Sequence, residues 1–375
     1  VNRLITQPIS MLFFIPLITV LASCKSYDAM NFESNTKSEI IEFIDGNVGQ
    51  VVSISIVDAE NTYQYHLGKL SNGDIPNNQT IYEIGSITKT YTGLVVAKAM
   101  LDGKVELDKD IRHYLKNNKY ENLELSNQYI TLRHLITHTS GLPEEFATSR
   151  EDIAQGTYFE KISKYSRDNY FDDLSKVKLN SIPGEKYQYS NSGTNLVAYI
   201  LESVYEKSFE LLLSEIITTK SGEKLTRFRG TNYEPGEIAQ GTDGDGKKMP
   251  LASAYWFADG GLTSSIESVT RYMQHQLSSE PEVAISHKLL DESWSGHGAA
   301  FYWHTYKYDS NEQILYQSGG SMGTSCWLAI YPKKNMGIFI VTNVASGNTQ
   351  QELGDIADKV IDYLTAYNKA IKSVM

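Results

Sequence analysis

Two hydrophobic rhythms divide the chain. Val51-Val-Ser-Ile-Ser-Ile-Val57 and Thr62-Tyr-Gln-Tyr-His-Leu-Gly68 are short runs rich in β-branched and aromatic residues, separated by the polar Asp58-Ala-Glu-Asn61. They predict two strands joined as a hairpin. Ser38-Glu-Ile-Ile-Glu-Phe-Ile44, just before them, predicts a helix. A longer helix is predicted through Leu94, Val95, Ala97, Ala99, Met100 and Leu101, with Asp102-Gly103 as its C-terminal cap. From about 105 to 250 the pattern is helical segments and polar loops. Strand signals return at Ala300–Tyr306, Gln313–Gln317, Cys326–Tyr331 and Gly337–Thr342, spaced like a meander, and a final helix is predicted over about 349–368.

This order predicts an α/β chain. Early and late strands form one antiparallel sheet flanked by helices, and the middle of the chain is inserted as a mostly helical lobe. The sheet lobe is expected over about 37–104 and 256–375, the helical lobe over about 105–255, and both belong to a single domain, 37–375. A cleft between lobes is the default place for a site.

Residues 1–23 follow another logic. Arg3 precedes the apolar run Met11-Leu-Phe-Phe-Ile-Pro-Leu-Ile-Thr-Val-Leu-Ala22, which is shorter than the ~20 residues of a membrane-spanning helix. It fits the hydrophobic region of an export signal. The run ends in Leu21-Ala-Ser-Cys24, which resembles the bacterial lipobox. That resemblance implies cleavage before Cys24, lipidation of its thiol, and a protein held on a membrane of the bacterial cell envelope, facing the periplasm or exterior. Residues 24–36 are polar and are expected to be a tether. The second cysteine, Cys326, lies in an apolar strand-like run and is expected to pack rather than react.

Composition narrows the function. Of 375 residues 41% are hydrophobic, enough for a large core, and the formal charge of −11 argues against nucleic-acid binding. No His/Cys cluster has metal-ligand spacing, so no metal or other cofactor is expected. The chain is expected to be a monomer acting on a small-molecule or peptide acyl substrate.

Candidate chemistry centres on Ser86-Ile-Thr-Lys89. Residues three apart share a helix face, so the amine can lie beside the hydroxyl. A lysine held against a serine in a dry pocket can serve as a base for it. Ser34-Asn-Thr-Lys37, Ser175-Lys-Val-Lys178 and Ser221-Gly-Glu-Lys224 match the same spacing but lie in polar stretches. Ser86 alone precedes a long apolar helix, whose free N–H groups and dipole favour developing negative charge. A second constellation is Pro183-Gly-Glu-Lys-Tyr-Gln-Tyr189-Ser190-Asn191-Ser-Gly193. A phenol there can relay a proton, and an amide can hold a lysine or a carbonyl. His138, in Leu135-Ile-Thr-His138-Thr-Ser-Gly141-Leu-Pro143, is expected at the end of a short helix capped by Thr131 and terminated by Gly141, rather than as a catalyst.

These motifs, in this order, resemble the serine β-lactamase and penicillin-binding-protein family, most closely its class C branch with related D,D-peptidases, D-aminopeptidases and esterases. Gly103-Lys-Val-Glu-Leu-Asp-Lys-Asp110, the His138 segment and Ala258-Asp-Gly-Gly-Leu-Thr-Ser264 strengthen the likeness, which covers about 40–370. It implies a β-lactamase/transpeptidase-like fold and an acyl-enzyme mechanism. Ser86 would be the nucleophile, with Lys89 and Tyr189 moving protons, either of them able to be the base in acylation. Asn191 would orient Lys89 and the substrate, and the N–H groups of Ser86 and Gly320 would form the oxyanion hole. The chain departs from the family at Gln317-Ser318-Gly319-Gly320, where Lys or His usually stands at the first position. Gln317 and Ser318 are expected to face the substrate. A neutral Gln317 binds a carboxylate more weakly than a cation would, which favours uncharged esters and amides. The expected function is an exported serine hydrolase acting on ester, amide, peptide or β-lactam-like substrates. The alternative is a non-catalytic binding or scaffold protein of the envelope that retains the fold.

Overall fold

The computed structural model describes residues 31–44, 50–59, 61–115, 120–228, 237–294, 297–309 and 312–374. The proposed signal segment and Cys24 lie outside the described residues. Helix α1 spans Phe32–Ile44 and so takes in residues 32–36, which were expected to belong to the tether. Its first residue is buried against Tyr63 and Tyr367, and that aromatic contact draws the segment onto the domain.

The expected antiparallel sheet is present. Strands β1 (Val51–Asp58) and β2 (Asn61–Gly68) form the hairpin, in register from Val51 opposite Gly68 to Asp58 opposite Asn61. Strand β1 also pairs with a strand from the far end of the chain, Met336–Thr342, and the order then runs back through Ser325–Tyr331, Glu312–Gly320, His304–Asp309, His297–Ala299 and Asp291–Trp294. Burial on both faces explains why β1 reads as an almost continuous apolar run. Val52, Ile54 and Ile56 pack with α1 and the C-terminal helix Thr349–Val374. On the other face, Ser55 Oγ meets Thr270 Oγ1 at 2.6 Å on helix Ile266–Gln276.

One predicted strand is displaced. Ala300–Trp303 is a turn, and the strand begins at His304. Tyr302 has φ of 63°, and Phe301, Tyr302 and Trp303 are all buried. These aromatics fill the core between lobes: the Tyr302 N–H donates to the Ile136 carbonyl (3.2 Å), and the Phe301 carbonyl leaves no room for a Cβ at Gly93. Strand propensity and core filling favour the same residue types, so the sequence did not separate them.

The Ser86 segment is carried by a smaller sheet. Ile81–Glu83 pairs with Leu262–Ser265, which also pairs with Arg227–Phe228. Next come a single turn, Gly85–Ile87, and helix α2, Thr88–Leu101, buried over most of its length and ending at Asp102 with Gly103 at φ +66°. Among the described residues no helix is long and apolar enough to cross a membrane.

Candidate active site

Ser86 lies in the one-turn segment before α2, a position whose N–H groups have no partner within the helix. Lys89 follows on the first turn of α2 and is fully buried. Its Nζ donates to Ser86 Oγ (3.1 Å) and to the carbonyl of Asp259 (2.5 Å). No carboxylate pairs with it among the described residues. Tyr189 OH lies 2.6 Å from Ser86 Oγ, and Lys89 Nζ is 4.8 Å from the centre of the Tyr189 ring. One hydroxyl is thus bonded to both groups that could take its proton.

The local sequence explains how Tyr189 reaches Ser86. Ser190 is the N-cap of helix Asn191–Tyr205: its Oγ accepts from the Gly193 N–H (2.9 Å) and donates to the Pro143 carbonyl (2.7 Å). Tyr189 therefore lies one residue ahead of the extended N-cap of a pinned helix start. Behind it His138 packs ring against ring at 4.5 Å. His138 has φ of 57° and ends the short helix Leu132–Ile136, so it, rather than Gly141, takes the left-handed position after that helix. The Thr131 cap is as expected, with His134 completing a reciprocal pair of bonds. His138 Nδ1 accepts the Ser190 N–H (3.2 Å), which leaves the proton of the neutral ring on Nε2. Burial, and then the charge of Lys89, hold its pKa well below the usual imidazole range, so it braces Tyr189 as a neutral ring.

The opposite wall is the end of the strand Glu312–Gly320. Its glycines have a steric cause. A Cβ at Gly319 would lie 2.2 Å from the Ile84 carbonyl, and one at Gly85 would lie 2.4 Å from the Gly320 carbonyl and 2.7 Å from the Gly320 nitrogen. Backbone therefore presses on backbone beside Ser86, and Ser86 and Gly320 line the same cleft, of roughly 820 Å³. The Cys326 thiol, buried within its strand, donates to the Ile84 carbonyl and further ties the strand to the Ser86 segment. Glu83 ties in a third element: its buried carboxylate accepts from Ser321 Oγ (2.6 Å) and from the Ser253 N–H (2.7 Å).

Two expected roles change. Asn191 is not bonded to Lys89; its Nδ2 donates to Glu145 Oε1 (2.6 Å), and Lys89 is oriented instead by the Asp259 carbonyl. Gln317 lines the cleft but is 2% exposed, with Nε2 donating to the Tyr302 carbonyl (2.7 Å) and Oε1 accepting from the Ser318 N–H (3.1 Å). The displaced Tyr302 turn thus occupies the amide that was expected to serve substrate. Ser318 lines the cleft beside it.

Sequence reasoning missed Glu145 and Asp259, which line the cleft together with His304. Asp259 sat in a segment noted only for its glycines, and Glu145 lies two residues past the end of the His138 motif. Burial raises the Glu145 pKa to about 8, helped by the charge of Asp259. Burial lowers that of His304 to about 4, so its imidazole is neutral at pH 7. Among the described residues no cluster of side chains suits a metal.

A buried lysine and a tyrosine sharing one serine, on a helix against an antiparallel sheet, define a class of acyl-transfer enzyme. The family model described as Beta-lactamase matches residues 43–362. The chain belongs to this family of serine hydrolases. It is 26% identical over 280 residues to Protein flp of Staphylococcus aureus, covering 71% of this chain and 53% of that protein. It is 25% identical over 244 residues to a beta-lactamase of Providencia stuartii, covering 62% and 56%. The chain thus spans about half the length of these curated relatives. A β-lactamase/D-alanine carboxypeptidase from Yersinia pestis superposes with a TM-score of 0.76 at 21% identity, covering 90% of this chain and 98% of that one. A class C β-lactamase from Rhodobacter sphaeroides gives 0.72 at 18%, covering 89% and 99%. At these identities the structures establish the β-lactamase/transpeptidase-like fold.

Proposed function

We propose that this protein is a hydrolase that cleaves esters or amides through an acyl-enzyme on Ser86. The observation that carries this reading is the pair of hydrogen bonds meeting at Ser86 Oγ, one donated by Lys89 and one shared with the Tyr189 hydroxyl, in a cleft that also presents Gly320. Ser86 Oγ attacks the acyl carbonyl, and its proton passes to Lys89 or Tyr189. The developing oxyanion is stabilised by the N–H groups of Ser86 and Gly320. Tyr189 returns a proton to the leaving group, and water then cleaves the acyl-enzyme. The reaction needs no cofactor. Retained catalytic residues in this geometry favour an enzyme over a binding protein that only kept the fold. The Arg3–Cys24 segment supports export and lipid anchoring as part of this reading. The test is turnover of p-nitrophenyl acetate and nitrocefin by wild type and Ser86→Ala. Turnover of either substrate that is lost in the variant supports the reading, and equal rates for the two proteins refute it.

A further inference from the structure

The charges on the cleft walls point to a substrate class, given the reading of Ser86 as nucleophile. Three carboxyl groups line the cleft, Glu144, Glu145 and Asp259; Glu144 pairs with Arg150, and neither Glu145 nor Asp259 belongs to an ion pair among the described residues. Glu145 is held in place from both sides. The carbonyl of its neighbour Glu144 accepts the N–H groups of Asn191 (2.9 Å) and Ser192 (3.1 Å), and its own Oε1 accepts from Asn191 Nδ2 (2.6 Å). Asp259 is 5% exposed and is fixed by the Phe257 N–H on Oδ1 (3.1 Å).

The charge of Lys89 reaches Glu145, but no cation is bonded to Glu145 or Asp259 among the described residues. Lys89 is committed to Ser86 and to a backbone carbonyl. Arg150, the other described cation at the cleft, is 88% exposed and turned toward Glu144 (3.4 Å). The wall formed by Gln317 and Gln350 is neutral. A carboxylate substrate would meet Glu145 and Asp259 with only the committed Lys89 and the exposed Arg150 as cations. An ammonium group would find two acceptors without a cation, in a site where burial strengthens the attraction.

We propose that the enzyme acts on acyl donors bearing a free ammonium group close to the scissile carbonyl, short aminoacyl esters or amides, and that Glu145 together with Asp259 reads that group. The raised pKa of Glu145 is consistent with this: burial and the charge of Asp259 push it up, and an arriving ammonium would bring it down again.

The experiment compares kcat/KM for alanine p-nitroanilide and its N-acetyl derivative, in both enantiomers, for wild type and Glu145→Gln. At least a tenfold preference for the free amine in one enantiomer, collapsing toward unity in the variant, supports the proposal. Cleavage with no such preference, or with one that Glu145→Gln leaves intact, overturns it while the hydrolase reading stands. If no anilide is cleaved but a fluorophosphonate labels Ser86, the substrate class is wrong and the nucleophile right; absence of labelling overturns both. A wild-type measurement guards against misfolding of the variant. Alaninamide should slow fluorophosphonate labelling of Ser86, and N-acetylalaninamide at the same concentration should not. Equal protection by the two contradicts the proposal.

Discussion

Gly85→Ala is the substitution whose cost the structure specifies most fully. Gly85 has φ of +47°, and its missing Cβ would lie 2.4 to 2.8 Å from three backbone atoms of Gly320. The left-handed conformation costs an L-residue about 1–2 kcal/mol. Overpacking against backbone, which cannot turn aside as a side chain can, adds about 1–3 kcal/mol. The sum is about 2–5 kcal/mol, and much of it can be relieved by moving the Gly320 strand end away from Ser86. Loss of one oxyanion donor lowers kcat by about 100- to 1000-fold. Gly103→Ala is the control: its φ of +66° imposes the same conformational penalty, but nothing lies within 4 Å of the new Cβ. In a chain this large, 1 kcal/mol moves Tm by roughly 2 °C or less. Gly85→Ala should therefore lose at least ~100-fold in kcat on a p-nitrophenyl ester with a Tm drop under about 10 °C. Gly103→Ala should keep its kcat with a Tm drop of a few degrees. Circular dichroism melts and steady-state kinetics on both variants are the assay. If Gly85→Ala keeps kcat within about threefold of wild type and melts like Gly103→Ala, the strand end does not serve Ser86 and the oxyanion assignment is wrong.

Lys89→Ala should be nearly as damaging to kcat/KM as Ser86→Ala, and the double variant little worse than either, because the two residues act as a unit; substantial activity in Lys89→Ala at neutral pH would move the base to Tyr189. Glu145 also makes stability depend on pH. Its pKa rises from 4.5 to about 8 on folding, so the folded state keeps a proton that the unfolded chain releases, and stability falls as pH rises across that window. The Tm of Glu145→Gln minus that of wild type should therefore increase between pH 4.5 and 8, and a constant difference would contradict the burial argument. Cys24→Ala should shift the protein from membrane to soluble fractions or leave it unprocessed, since acyl chains contribute about 0.8 kcal/mol per buried CH₂; wild-type protein already soluble and starting elsewhere than at residue 24 would refute lipid anchoring.

The features legible in the sequence are those set by local pattern. The β1–β2 hairpin, the strands at Gln313–Gln317, Cys326–Tyr331 and Gly337–Thr342, and the terminal helix follow from apolar runs broken by turn residues. That early and late strands join in one antiparallel sheet was legible too, whereas the strand order is set by the fold. The meeting of Ser86, Lys89 and Tyr189 was readable because helix spacing sets the first pair and a family resemblance the third. Long-range choices were not legible. Asn191 has Glu145 and Lys89 as candidate partners, and only the fold determines that its Nδ2 goes to Glu145. Gln317 lost its expected freedom to a carbonyl of the Tyr302 turn, a segment whose aromatic composition reads as strand. Glu145 and Asp259 carry no spacing signal, because their importance comes from burial beside a cleft.

Covalent labelling tests the central claim most directly. The protein, incubated at neutral pH with a fluorophosphonate, is digested and its peptides are mapped by mass spectrometry. The account predicts one adduct per chain, on Ser86, with labelling lost in Ser86→Ala and slowed at least tenfold in Lys89→Ala. An unlabelled protein, or an adduct on another residue that persists in Ser86→Ala, would contradict it.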